Sequence, residues 1–141
     1  MDSISFFSEE TDFKPKKISK LKSWITDCIR REEKTLIHLN YIFCSDEYLA
    51  GINTRYLQHN TYTDIITFDN SESDELIEGD IFISADRIKE NSVEFNSSLE
   101  DELHRVIIHG VLHLMGYADK NQAQKAQMRE KEDACLSLRK F

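Results

Sequence analysis

Proline occurs once, as Pro15, and glycine four times in the 141 residues. That scarcity excludes collagen-like repeats and Pro- or Gly-rich linkers, and no stretch has the composition of an interdomain connector. The three cysteines, Cys28, Cys44 and Cys135, are odd in number and widely spaced. They can build neither a disulfide framework nor a CxxC metal or redox pair, so buried reduced thiols are expected. No apolar run approaches the roughly 20 residues that span a bilayer. The start, Met1-Asp2-Ser3, lacks the basic and apolar regions of a secretory leader, so the expected location is the cytoplasm, without membrane contact. Positive charge is also short: 18 Lys and Arg stand against 26 Asp and Glu, for a net charge of −8. A balance of that sign argues against a surface built throughout for nucleic acid.

The charge that is present is unevenly placed. Lys14, Lys16, Lys17, Lys20 and Lys22 form a basic patch free of acids, while acids gather in 72–78 and 130–133. Such a patch fits either a phosphate backbone or a solvated face. With 40% hydrophobic and 31% charged residues, the chain has the composition of a globular protein, and its length suits one domain over 1–141.

Local patterns then give an order of elements. A short strand is expected at 3–8, a loop around Pro15, and a helix from an N-cap at Ser19 to about Glu33 that packs through Leu21, Trp24, Ile25, Cys28 and Ile29. Alternation over 36–44 predicts a strand with Leu36, His38, Asn40, Ile42 and Cys44 on one face. His38, isolated, is expected to be structural. Ser45 caps a second helix with acids in its first turn and Leu49, Ile52, Tyr56 and Leu57 as its buried side. A strand is expected over 63–68, an acidic loop over 70–78 and a strand over 79–84. Ser84 opens a helix to about Phe95, and Ser97-Ser98 caps the next, 99–115. A last helix over 121–138 is expected to pack through Ala126, Met128, Ala134, Cys135 and Leu138. Strands and helices in this order imply an α+β domain, a small mixed sheet covered by helices.

The helix at 99–115 carries the chemistry. His109 and His113 stand four apart in an apolar run, so both imidazoles face one point one turn apart. Gly116 can take a positive φ, end the helix and reverse the chain, bringing Asp119 back towards the rings. A single histidine in so apolar a helix would be a hydrogen-bonded core residue; two at chelating spacing, with a turn and a third donor, suit zinc with one open position. His104, about 140° around the helix from His109, is outside that set. His59 reaches it only if its loop folds over. The zinc-protease pattern HExxH needs glutamate after the first histidine, and here that residue is Gly110.

These residues, His109-Gly110-Val111-Leu112-His113-Leu114-Met115-Gly116-Tyr117, resemble the signature of the YbeY family, metal-dependent endoribonucleases of ribosomal RNA maturation. The family places a third histidine where this chain has Asp119, which partly neutralises the ion. A second block is similar as well: Asn53 and Arg55, then Thr63-Asp64-Ile65-Ile66-Thr67-Phe68, as is Gly79-Asp80-Ile81 ahead of Ser84. Met128 and Glu132 fit a methionine and a glutamate that follow the family's histidines, with packing and ligand-supporting roles both open.

The resemblance implies a zincin-like HxxxH helix against a mixed sheet and one Zn2+ per chain held by His109, His113 and Asp119. Arg55 becomes the candidate catalytic residue, its guanidinium matched to phosphate; Asp64 is expected to be structural. The implied function is single-strand-specific cleavage in 16S rRNA 3′-end maturation and ribosome quality control. The implied partners are ribosomal RNA and the small ribosomal subunit, with ribosomal proteins or an assembly GTPase beside them. No general base is identifiable. The alternatives are a non-catalytic ribosome-assembly factor with a closed structural metal site, an iron oxygenase with the same two-histidine, one-carboxylate set, and a metalloprotease, which Gly110 disfavours.

Overall fold

Residues 3–57 and 64–141 are described by the computed structural model, in which four strands and five helices follow in the order β-α-β-α-β-β-α-α-α. Residues 58–63, with His59 and Thr63, and the side chain of Leu57 lie outside the described residues. The strands β1 (Ile4–Glu9), β2 (Thr35–Cys44), β3 (Ile65–Asp69) and β4 (Leu76–Ser84) form one sheet in the order β1-β2-β4-β3. The first two pairings are parallel and β3 runs antiparallel to β4, so the sheet is mixed, as expected. The helices are α1 (Ile18–Arg31), α2 (Asp46–Leu57), α3 (Ala85–Glu94), α4 (Leu99–Leu114) and α5 (Gln122–Leu136).

Side chains alternate across a pleated strand, and that alternation divides the molecule into two layers. Leu39, Tyr41 and Phe43 of β2 with Ile77, Ile81 and Ile83 of β4 pack on α1, α4 and α5 in the larger core. Cys44, Ile66, Phe68 and Phe82 point the other way, onto Leu49 and Ile52 of α2. The helix that carries the histidines and the helix that carries Arg55 therefore cover opposite faces of the sheet.

Several local expectations shift. A register irregularity between Leu36 and His38 breaks the alternation of β2, so Leu36 joins the larger core while Ile37 turns outward. Lys17, at φ 57°, is the N-cap of α1, and Ser19 lies inside the first turn rather than capping it. β4 begins at Leu76, three residues early, because it pairs with β2 from Thr35 onward. Tyr56, expected in the core, is 62% exposed, and Ala126 and Ala134 are exposed on α5. His38 is structural as expected: its Nε2 meets Asn40 Oδ1 at 2.9 Å, and Asn40 donates to Asp80.

Gly79 is needed where it stands. A Cβ there would meet the Phe68 carbonyl oxygen at 2.4 Å, so the close pairing of β4 with β3 tolerates no side chain. Among the described residues no helix is long and apolar enough to cross a membrane.

Candidate metal centre

Helix α4 begins where Ser98 Oγ accepts from the Asp101 N–H at 3.0 Å, with Glu100, Asp101 and Glu102 in the first turn, where the macrodipole favours acids. Ile107, Ile108, Val111 and Leu112 are fully buried, so the helix is held in the middle of the larger core. Its end is built by Gly116 at φ 101°. The Gly116 N–H donates to the His113 carbonyl and the Tyr117 N–H to the Leu112 carbonyl, both at 3.0 Å, the paired bonds of a Schellman turn. The Tyr117 hydroxyl then donates to Glu32, which also holds Lys131 at 3.1 Å, so the reversed chain is tied to α1 and α5.

That reversal brings Asp119 onto the histidine pair. The Nε2 atoms of His109 and His113 are 3.0 Å apart, and Asp119 Oδ2 lies 3.3 Å from the first and 3.5 Å from the second. Bonds of about 2.0–2.2 Å to a tetrahedral ion would put neighbouring donors about 3.3–3.6 Å apart. The two sides to Asp119 match, and the 3.0 Å side between the imidazoles need open by only a few tenths of an ångström to hold one small divalent cation. No fourth His, Cys, Asp or Glu joins the group among the described residues. The three side chains are 20%, 27% and 39% exposed, which leaves one side of the triangle facing outward.

Support comes from a helix further along the chain. Glu132 of α5, 5% exposed, places Oε2 2.6 Å from His109 Nδ1, which leaves Nε2 as the free donor atom. Its other oxygen accepts from Arg105 at 2.8 Å, and Arg105 also reaches Asp133 at 2.8 Å. Burial lowers the pKa of His109, but the Glu132 hydrogen bond and charge, with Asp119 and Asp64, outweigh it and leave the pKa raised. His113 is lowered by burial and then by the neighbouring His109. Two histidines one turn apart thus face different fields.

Arg105 was not singled out from the sequence, although a signal existed: Arg105, His109 and His113 recur every four residues and share one helix face. Glu132→Gln keeps the shape of the side chain and removes the charge that holds Arg105 and His109. Metal affinity should fall about 10–100-fold with the fold retained, measured by competition against a chromophoric chelator. Unchanged affinity would show that Glu132 does no more than fill space.

The remaining histidine of α4, His104, is kept apart. It is 5% exposed and lies 2.7 Å from Arg139 Nη1, and burial followed by the Arg139 charge pushes its pKa down to about 4. Asp64 precedes β3 and accepts the Ser84 N–H through its carbonyl, while its charge is felt at His109. Arg55 stands exposed in the last turn of α2, its guanidinium 5.8 Å from the Tyr56 ring. Among the described residues no hydrogen bond or ion pair joins it to the chelating triangle. It does stand beside the edge strand: Tyr56 meets Phe68 of β3 edge-on at 6.0 Å, and Ile65 of the same strand packs against α4 at Gly110.

Comparison with known proteins agrees with this architecture. The family model described as Endoribonuclease YbeY matches residues 3–139. An endoribonuclease YbeY of Cytophaga hutchinsonii is 52% identical over 140 residues, covering 99% of this chain and 98% of the relative. One of Flavobacterium psychrophilum is 48% identical over 132 residues, 94% of each. The solution structure of a Thermotoga maritima protein superposes with a TM-score of 0.66 at 28% identity, over 95% of this chain and 87% of that one. With a family model spanning nearly its whole length and relatives at about half identity, the chain belongs to the YbeY family of endoribonucleases.

Proposed function

We propose that this protein is a zinc-dependent endoribonuclease for single-stranded RNA, acting in the cytoplasm on ribosomal RNA in 16S 3′-end maturation and quality control of the small subunit. The chain as a whole, 1–141, forms one such domain; ribosomal proteins or an assembly GTPase would meet it on the subunit. The observation that carries the reading is the outward-facing triangle of two imidazole nitrogens and a carboxylate oxygen with sides of 3.0, 3.3 and 3.5 Å. His109, His113 and Asp119 would hold the ion, and its chemistry would be Lewis-acid polarisation of a phosphoryl oxygen and acidification of bound water. A structural site would be closed by a fourth protein donor, and the outward exposure of all three side chains favours the catalytic alternative.

The protein's own contribution is orientation and charge. Glu132 and Arg105 hold His109 so that Nε2 faces the triangle, and Asp119, fixed by the Gly116 turn, supplies one negative charge that keeps the site from being strongly cationic. Arg55, at the β3 edge, is the proposed partner of the phosphate undergoing cleavage, where guanidinium offsets charge that builds on its oxygens. Arg55→Ala should leave metal content and thermal stability unchanged and lower kcat on single-stranded RNA about 100-fold. Cleavage at the wild-type rate would remove that role. The reading itself is tested by elemental analysis of the purified protein beside an RNA-cleavage assay: about one zinc per chain with metal-dependent cleavage is expected. Iron with oxygen uptake would favour an oxygenase instead.

A further inference from the structure

A chain with a net charge of −8 must still hold a polyanion if it cleaves RNA, so the placement of its cations matters. Elsewhere many cations are neutralised: Arg105 by Glu132 and Asp133, Lys131 by Glu32, Arg139 by Asp101, Arg87 by Asp46. Lys14, Lys16, Lys17 and Lys20 are all exposed, and among the described residues they enter no ion pair. No acid occurs between Phe13 and Thr26. Lys17 is fixed in the left-handed conformation at the start of α1, which together with Pro15 gives this stretch a defined course.

Lys14 and Lys16 rim one groove and Lys20 a second, with Lys17 between them along the chain. One, of about 290 Å³, lies between Phe13–Lys16 and the first turns of α4, with Leu99 and His104 in its wall. The other, of about 280 Å³, lies between α1 and the C-terminus, with Lys20, Ser23, Trp24, Lys140 and Phe141. The grooves are neighbours, because Trp24, His104 and Phe141 form one ring cluster with centroids 5.4–6.3 Å apart between them. Glu100 lines the first groove and Asp27 the second, so together with Lys17 the surface carries five lysines against two carboxylates. Half-buried Phe13 and Phe141 offer apolar ring surface at the floor. Lysines that track a backbone above aromatic surface are the physical requirement for holding a single strand without reading its sequence.

We propose that the surface formed by Lys14, Lys16, Lys17 and Lys20 with the two grooves around Trp24, His104 and Phe141 docks single-stranded RNA outside the segment being cut. It shares α4 with the metal centre: His104 precedes His109 by five residues and His113 by nine, about 7 and 14 Å along the axis. His104 leaves α4 about 140° around the axis from His109, so the grooves face another side of the helix and a strand held in them must pass around α4 to reach the chelating triangle. The proposal rests on the endoribonuclease reading above, and the two can fail separately.

The test compares the metal-loaded wild-type protein with the quadruple variant Lys14→Gln, Lys16→Gln, Lys17→Gln, Lys20→Gln. Both are titrated with a 2′-O-methyl single-stranded RNA of about 30 nucleotides over a range of salt. All four positions are exposed, so an unchanged melting temperature is expected. In the variant the slope of log affinity against log salt should shrink by about 3, from four lost contacts at about 0.7 each, and affinity at about 0.1 M salt should fall tenfold or more. Cleavage of a short oligonucleotide confined to the metal centre should keep its kcat. Equal affinity and slope in both proteins, with the wild type binding and cleaving RNA, overturns the docking surface alone. No salt-dependent RNA binding by the wild type overturns the endoribonuclease reading and the surface with it. Binding of poly-glutamate that is lost in the variant while RNA binding is kept would assign the surface to an acidic protein and overturn the proposal.

Discussion

Replacing His113 by alanine is expected to strip the protein of its metal and lower RNA cleavage by about a thousandfold, roughly 4 kcal/mol of transition-state stabilisation. The loss is large because Asp119 and His109 alone form a two-donor site in which water competes for the ion. The fold should survive: His113 is partly exposed in the last turn of α4, alanine is the better helix former, and the turn bonds at Gly116 use main-chain atoms. Zinc per chain should drop from about one to near zero by elemental analysis, with an unchanged far-UV circular dichroism spectrum. A variant that keeps stoichiometric zinc would remove His113 from the ligand set. One that loses the metal and still cleaves RNA would separate the metal from the activity.

The second expectation concerns the residue that distinguishes this site from a zinc protease. Gly110→Glu should fail to fold stably. A Cβ at that position would stand 2.9 Å from Ile81 Cγ2 and 3.0 Å from Ile65 Cδ1, so the position faces the sheet and not the chelating triangle. Ile81 Cγ2 is borne on the branched β-carbon of a fully buried strand residue and can give little, so even alanine would cost about 1–3 kcal/mol of overpacking, partly offset by its gain in helix propensity of about 1 kcal/mol. A glutamate must also bury its carboxyl group between α4 and β4 without a partner, a penalty of several kcal/mol against a total stability of about 5–15 kcal/mol. Soluble yield and the denaturant midpoint measure it. A Gly110→Glu protein with wild-type stability would mean that α4 is rotated from the orientation described, and that the HExxH base had room after all. The same contact explains why the histidine spacing appears here without the protease base.

Much of the centre was legible from local pattern. The spacing of His109 and His113, the Ser98 cap, the glycine after the helix and the return of Asp119 all follow from the geometry of a single helix and its end. The buried side of α1 was equally plain, since Leu21, Trp24, Ile25, Cys28 and Ile29 keep one face over roughly two turns. Tyr56 has helical spacing yet stays out of the core, because it lies at the margin of α2, where its ring meets Phe68 and the Arg55 guanidinium. Leu36 changed sides because the irregularity between Leu36 and His38 offsets the start of β2 by one step from the rest of the strand, where the alternation of Leu39, Tyr41 and Phe43 against Cys44 holds.

From the sequence by itself came the α+β class, the HxxxH helix, the turn and the convergence of His109, His113 and Asp119, the last three because each is a matter of residues within one or two turns of one another. Only the tertiary structure decided that Glu132 holds His109 across 23 residues, that Arg105 holds Glu132, that Gly110 is pinned under Ile81, and that Arg55 belongs to the opposite face of the sheet. Periodicity specifies which way a side chain leaves its own helix or strand. What it meets there depends on how distant elements pack, and that is set by the sum of core contacts across the whole chain.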